Sequence, residues 1–469
     1  MLFNSLHFLL FLPVVVGLYY LLPFRFRWIL IFFASCDFYM AFVPEYILIL
    51  FLIILIDYGS ALAIERAEGK KRRAWLVASV LSNILLLCFF KYFGFLNENL
   101  QTVFHLFGKE FRPLNLEIIL PIGLSFHTFQ SMSYTIEVYK GRQPAERHLG
   151  YFANYVLFFP QMVAGPIERY ETLGNELKKE NRPSYLFFSD GFRLILFGLF
   201  VKMAVADNIA PLVNTVYEDP LRFSAPEVLL AVFLFSFQIY ADFYGYSTIA
   251  VGCARLLGIT IMDNFKTPYL SRSVSEFWSR WHISLSTWFR DYLYIPLGGN
   301  RVSLPRWSLN ILIVFMVSGL WHGASWTFVI WGALHGLMLL LERYFSRLFK
   351  FEIKKDWSFL NALLVIKTFV VTSFIWIFFR AENFEKASQV IQAIFANPST
   401  SLSGIPDLTV PLLFTLLLIL TDVLLYNSRI DRRLAGIAPP YRWAVYTVLL
   451  FGLLALSGTQ KFAFIYFQF

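Results

Sequence analysis

The stretch Trp307–Leu340, WSLNILIVFMVSGLWHGASWTFVIWGALHGLMLL, decides how this chain is read. It is longer than the ~20 apolar residues that one crossing of a bilayer requires, and it is interrupted at Gly319–Ser325. It also carries two imidazoles, His322 and His335. Ionisable side chains are costly inside a bilayer and by default mark a functional site. Gly319 and Gly323 surround His322 at a small-xxx-small spacing, which lets a helix or a substrate approach the backbone closely. Arg301 precedes the stretch, and Glu342, Arg343, Arg347, Lys350, Lys354 and Lys355 follow it. Basic loops on both sides place both ends in the cytoplasm. The expectation is a broken hairpin, or two half-spans, with His322 near its inner tip in the membrane interior.

Working outward, the composition agrees. Of 469 residues 58% are hydrophobic and 15% charged, against about 25% charged for a soluble domain. The runs Leu6–Leu22, Trp28–Val43, Tyr46–Ile64 and Trp75–Phe90 are each near spanning length. The first has no basic region before it, so it reads as a span and not as a cleaved signal. The reading is an all-α polytopic membrane protein of about eleven transmembrane helices with added re-entrant or interfacial helices. Residues 1–469 form a single membrane domain, with core motifs at 118–340 and an external loop at 380–409. The net charge of +9 reflects loops rich in Lys and Arg on one side of the membrane, so no nucleic-acid partner is expected. Glu65–Arg73 and the loop holding Lys140, Arg142 and Arg147 mark the cytoplasmic side, which puts both termini outside. Cys36, Cys88 and Cys253 have no paired spacing and read as small core residues. No metal-ligand cluster, GxSxG elbow or HExxH motif is present, which leaves hydrolase and metalloenzyme readings unsupported.

Three further segments carry polarity at membrane depth. Ile118–Tyr139 contains Pro121, Gly123, Ser125, His127 and Gln130. Freed backbone groups are tolerated there only inside protein or along a watery cavity, so this is either an interhelical polar seam or a tunnel wall. Pro226–Val251 carries Asp242, which requires a partner or water and is read as a hydrogen-bonding residue or a substrate contact. Phe265–Arg301 interleaves Trp, Tyr and Arg at a density suited to a headgroup-level or re-entrant layer. Its Lys266, Arg272, Arg280, Arg290 and Arg301 suit a phosphorylated donor; lipid headgroups and the internal acids Glu276 and Asp291 are the structural alternative. Tyr151–Gly165 is too short and broken for a crossing. Tyr185–Ala206 reads as a crossing, and Asn97–Glu117 as an external segment.

Four blocks in order resemble the membrane-bound O-acyltransferase superfamily, and most closely its bacterial alginate O-acetylation branch. They are Pro121–Lys140 (PIGLSFHTFQSMSYTIEVYK), Phe158–Arg169 (FFPQMVAGPIER), Asn264–Arg301 (with EFWSRWHISLSTWFRDYLYIPLGGNR) and Gly319–Gly336 (GLWHGASWTFVIWGALHG). The resemblance implies His322 as the catalytic residue and His282 as a second functional histidine. It implies a ring of helices around a thin central layer, with a cytoplasmic funnel for the acyl donor and an opposed funnel for the acceptor. It also implies a bacterial cytoplasmic (inner) membrane location and work with a separate extracytoplasmic acetyltransferase of SGNH type that modifies a polysaccharide.

The chemistry suits these residues. A hydroxyl is a poor nucleophile while protonated, and a general base typically contributes ~10²–10⁴-fold in rate. Desolvation keeps a buried imidazole neutral and able to accept a proton. Trp321, Trp326 and nearby backbone N–H groups are candidate donors to the tetrahedral oxyanion. Arg280, Arg290, Ser125, His127, Gln130 and Asp242 are candidate donor-binding or tunnel-lining residues, and His335 reads as a core histidine. The expected donor is acetyl-CoA or another acyl thioester, with no bound cofactor. The rivals are a polysaccharide or lipid transporter and, within the family, D-alanyl transfer from a carrier protein.

Overall fold

The computed structural model describes residues 1–111, 116, 118–163, 165–349, 358–396, 401–405, 407–456 and 464–465. Lys350, Lys354 and Lys355 of the basic loop lie outside the described residues, as does all of Phe462–Phe469 except Phe464 and Ile465. Every regular element among the described residues is a helix. Seven of these helices are long and apolar enough to cross a membrane: Pro44–Arg66, Gly69–Phe90, Tyr185–Glu218, Ala225–Leu256, Leu304–His322, Trp326–Phe349 and Phe359–Arg380. Leu6–Leu21 and Thr409–Leu424 are shorter apolar helices.

The chain divides into two compact units, residues 1–189 with 253–262, and 190–252 with 263–469. In the first unit a polar seam joins three helices. Asp57 is fully buried on Ile47–Arg66. It accepts from Ser79 Oγ at 2.6 Å and from Asn83 Nδ2 at 2.9 and 3.1 Å, both on Gly69–Phe90. Ser79 Oγ also lies 3.0 Å from Thr135 Oγ1 on the helix Leu124–Tyr139. A buried carboxylate without such donors is strongly disfavoured, so these bonds set the register of the three helices. Helix Leu124–Tyr139 starts only after Gly123, whose φ of 74° is left-handed. The break expected from Pro121 and Gly123 lies there.

In the second unit two long helices touch through glycine. A Cβ built on Gly198 would lie 2.7 Å from the Gly245 carbonyl oxygen, and one on Gly252 would lie 2.8 Å from the Gly191 carbonyl oxygen. The glycines are seven apart on each helix, Gly191 with Gly198 and Gly245 with Gly252, so both contacts fall on one seam. Small residues at such a seam let backbones approach where lipid offers no hydrophobic drive for association. Gly245→Val is expected to separate these helices, at about 1–3 kcal/mol or more for overpacking. The check is the temperature at which the purified protein aggregates, and an unchanged value would contradict the close approach.

Several boundaries differ from expectation. The crossing expected to end at Ala206 continues to Glu218 through a wide π-turn at Val201–Ala206. The segment expected outside from Asn97 begins inside a helix, because Phe93–Leu106 spaces Phe93, Leu96, Leu100 and Val103 at helical intervals. The segment 380–409, expected to be an external loop, contains the helix Phe384–Ala396. The hairpin consists of two helices of 19 and 24 residues, not two half-spans. Gly323 ends the first helix in extended backbone, and Ser325 immediately precedes the second, its Oγ accepting the Thr327 N–H at 3.3 Å.

Candidate active site

The hairpin glycines are the reason His322 sits where it does. A Cβ on Gly319 would lie 2.1 Å from the Phe328 carbonyl oxygen, and one on Gly332 would lie 2.1 Å from that of Phe315. The backbone close to Gly319 is therefore the hairpin's own second helix. His322 is the last residue of the first helix and is 4% exposed. Its ring is 5.0 Å from that of Trp331 and 5.4 Å from that of Phe379, both edge-on. Trp321 is buried beside it.

His282 comes from a different part of the chain and reaches the same place. Its ring centroid is 6.5 Å from that of His322 and 6.3 Å from that of Trp321. It is fully buried, and Phe243 packs edge-on to it at 4.7 Å. The segment 265–301 that carries His282 holds short helices, Val274–Arg280 and Ile283–Phe289 among them. His282 separates the two with left-handed backbone, φ 43° and ψ 55°. For a residue with a side chain this conformation costs of order 1–2 kcal/mol, and the surroundings must impose it.

His335 is held apart from this pair. Trp331 stands between the two hairpin histidines, 5.0 Å from each ring. The Trp278 indole N–H donates to His335 Nδ1 at 3.3 Å, which suits a packed core residue.

A cavity of about 860 Å³ lies in the same unit. Ser318, one turn before His322, and Ile283, next to His282, are on its wall with Trp278, Phe289, Val314 and Phe315. Arg290, Arg343 and Arg347 also line it. Arg290 pairs with Asp291 at 2.8 Å. Glu342, also on the wall, accepts the Val274 N–H at 2.9 Å and pairs with Lys367 at 2.7 Å, so its charge is already engaged.

The other candidates fall into distinct settings. Arg280 is occupied internally: Nε donates to Glu276 at 3.0 Å, Nη1 to the Lys266 carbonyl at 3.0 Å, and Nη2 to the Tyr426 hydroxyl at 3.0 Å. Trp326 opens the second hairpin helix and is 52% exposed. Asp242 is buried and pairs with Lys202 at 2.6 Å, while its other oxygen accepts the Ile465 N–H at 2.6 Å. Lys202 also pairs with Asp207 at 2.7 Å. Ser125, His127 and Gln130 lie on the helix Leu124–Tyr139 of the first unit, each with its own partner. His127 Nδ1 donates to the Val156 carbonyl at 2.9 Å, Gln130 Oε1 accepts from Gln161 at 2.8 Å, and Ser125 Oγ is 3.5 Å from Lys91 Nζ. Gln161 belongs to the FFPQMVAGPIER block, so two of the quoted blocks meet here. Lys202 was missed in the sequence; its signal is a lone cation in an apolar run, five residues before Asp207.

The profile of the membrane-bound O-acyltransferase family matches residues 142–381. A probable alginate O-acetylase AlgI of Azotobacter vinelandii is 37% identical over 92% of this chain and 85% of its own length. The protein of the same name in Pseudomonas aeruginosa is 38% identical over 86% of this chain and 76% of its own. A peptidoglycan O-acetyltransferase of Helicobacter pylori is 34% identical over 79% of this chain and 74% of its own.

Proposed function

Since the chain belongs to the membrane-bound O-acyltransferase family, we propose that it moves an acetyl group from a cytoplasmic thioester to a hydroxyl beyond the membrane. The acceptor is an extracytoplasmic polysaccharide or a partner acetyltransferase of SGNH type. The observation that carries this reading is the pairing of His282 and His322, 6.5 Å apart, beside a cavity that reaches Ser318. His322 acts as general base on the acceptor hydroxyl as the hydroxyl oxygen attacks the thioester carbon. The proton passes to the imidazole and then to the departing thiolate when the tetrahedral intermediate collapses. His282 assists from its fixed position 6.5 Å away.

The donor enters by the cavity. Arg343 and Arg347 have no ion-pair partner among the described residues, and guanidinium matches phosphate well. Acetyl-CoA, with its phosphates outermost and its acyl end apolar, suits that arrangement. The wider architecture proposed is one domain of about eleven crossings in the cytoplasmic membrane, ringed around a thin layer with opposed funnels and both termini outside. Membership of an acyltransferase family leaves the transporter alternative with no observation in its favour.

The deciding experiment offers the purified protein a panel of acyl thioesters, acetyl-CoA and D-alanyl carrier protein among them, and follows thiol release with mass spectrometry of the product. Acetyl transfer from CoA supports the reading, and D-alanyl transfer alone would replace it. Arg343→Ala together with Arg347→Ala is expected to raise the acetyl-CoA KM about three- to tenfold with kcat nearly unchanged, since bonds to charged groups are worth ~1.5–3 kcal/mol before solvent screening. An unchanged KM would remove the arginines from donor binding.

A further inference from the structure

Asn264 accepts hydrogen bonds from the two residues that follow His282. His282 precedes the helix Ile283–Phe289 but, being left-handed, donates no side-chain cap to it. An N-cap residue usually has extended backbone, from which its own side chain reaches the next N–H groups. Here those groups are met from another segment. The Asn264 main-chain carbonyl accepts the Ile283 N–H at 2.9 Å. Its side-chain Oδ1 accepts the Ser284 N–H at 3.2 Å and the Ser284 hydroxyl at 2.6 Å. Asn264 is 2% exposed and Ser284 fully buried, so water does not compete for these bonds.

The same two segments are laced once more, the Lys266 N–H donating to the Arg280 carbonyl at 2.9 Å. Together these bonds bracket the tight turn at His282 on both sides. Without Asn264 Oδ1 the Ser284 N–H would be left buried and unpaired, at about 1–3 kcal/mol. That is comparable with the cost of the left-handed conformation itself, so the turn would relax to relieve both.

We propose that Asn264 is a positioning residue for the transfer reaction, acting through the backbone of His282 and not on the substrate. This rests on the reading of His282 given above. Held turns matter because a displacement of about 1 Å at a reacting group can cost ~10²-fold in rate.

The test compares Asn264→Ala, Ser284→Ala, the double variant and His282→Ala in the full-length purified protein, with acetyl-CoA as donor. Asn264→Ala is expected to lower kcat on the order of 10²-fold while the acetyl-CoA KM and elution as a single folded species are kept. Ser284→Ala is expected to show a smaller drop, and the double variant to be no worse than Asn264→Ala, because residues acting through one contact are not additive. Wild-type kcat in folded Asn264→Ala, with His282→Ala inactive, overturns the assignment of Asn264 alone. Wild-type kcat in His282→Ala overturns the reading of His282 instead. Additive losses in the double variant would show that Asn264 and Ser284 act separately and would also overturn the proposal. If Asn264→Ala does not accumulate, Ser284→Ala decides: wild-type kcat there overturns it.

Discussion

Replacing His322 by alanine is expected to lower acyl transfer by about 10²–10⁴-fold, the usual contribution of a positioned general base. The mutant protein should still reach the membrane. His322 is packed by the rings of Trp331 and Phe379 at the end of its helix, so alanine also leaves a cavity. His322→Gln keeps much of the volume and a polar group but cannot shuttle a proton at neutral pH, and separates the two effects. Both variants should consume acetyl-CoA only at background rate, read as acceptor-dependent thiol release, with the donor KM little changed. If folded His322→Gln turns over at the wild-type rate, the assignment of the base is wrong. His335 is the built-in comparison. It lies in the same hairpin, but Trp331 separates it from His322, and His335→Gln is expected to act on stability more than on rate.

The second large effect is on stability. Lys202 is 1% exposed and pairs with Asp207 and Asp242 at 2.7 and 2.6 Å. Removing one partner of a buried ion pair costs about 3–5 kcal/mol, because the remaining charge is stranded. Lys202→Met should therefore lower the aggregation temperature of the purified protein more than any single surface change. Neutralising the carboxylates as well, with Asp207→Asn and Asp242→Asn, should recover much of the loss, since a neutral hydrogen-bonded set carries no stranded charge. A Lys202→Met protein as stable as the wild type would mean that water reaches the cluster and screens it. The same geometry bears on Asp242 as a substrate contact, because its two oxygens already engage Lys202 and the Ile465 N–H.

Much of the architecture was legible because it depends on neighbours in sequence. Apolar runs of spanning length become helices wherever a bilayer or core receives them. Gly323 and Ser325 stop and restart the hairpin through their own backbone and side-chain preferences. The density of Trp, Tyr and Arg at Phe265–Arg301 predicts a layer without a spanning helix, and short helices are found there. Boundaries moved where local patterns do not decide them. The π-turn at Val201–Ala206 carries the expected crossing on to Glu218, and an insertion of that kind leaves no period in the residues.

By itself, then, the sequence determined an all-helical membrane chain, a broken hairpin with an imidazole at its end, and the blocks that carry the family. Only the tertiary structure decided that the His282 ring centroid lies 6.5 Å from that of His322 although the two are 40 positions apart. It also decided that Trp331 screens His335 from that pair, that Lys202 is the partner Asp242 requires, and that Asn264 caps the turn after His282. The reason is one of range. Helix formation and capping act over about one turn and are written in adjacent residues. Neutralising a buried charge, or holding a left-handed turn, depends on which distant segment the fold brings within hydrogen-bond distance.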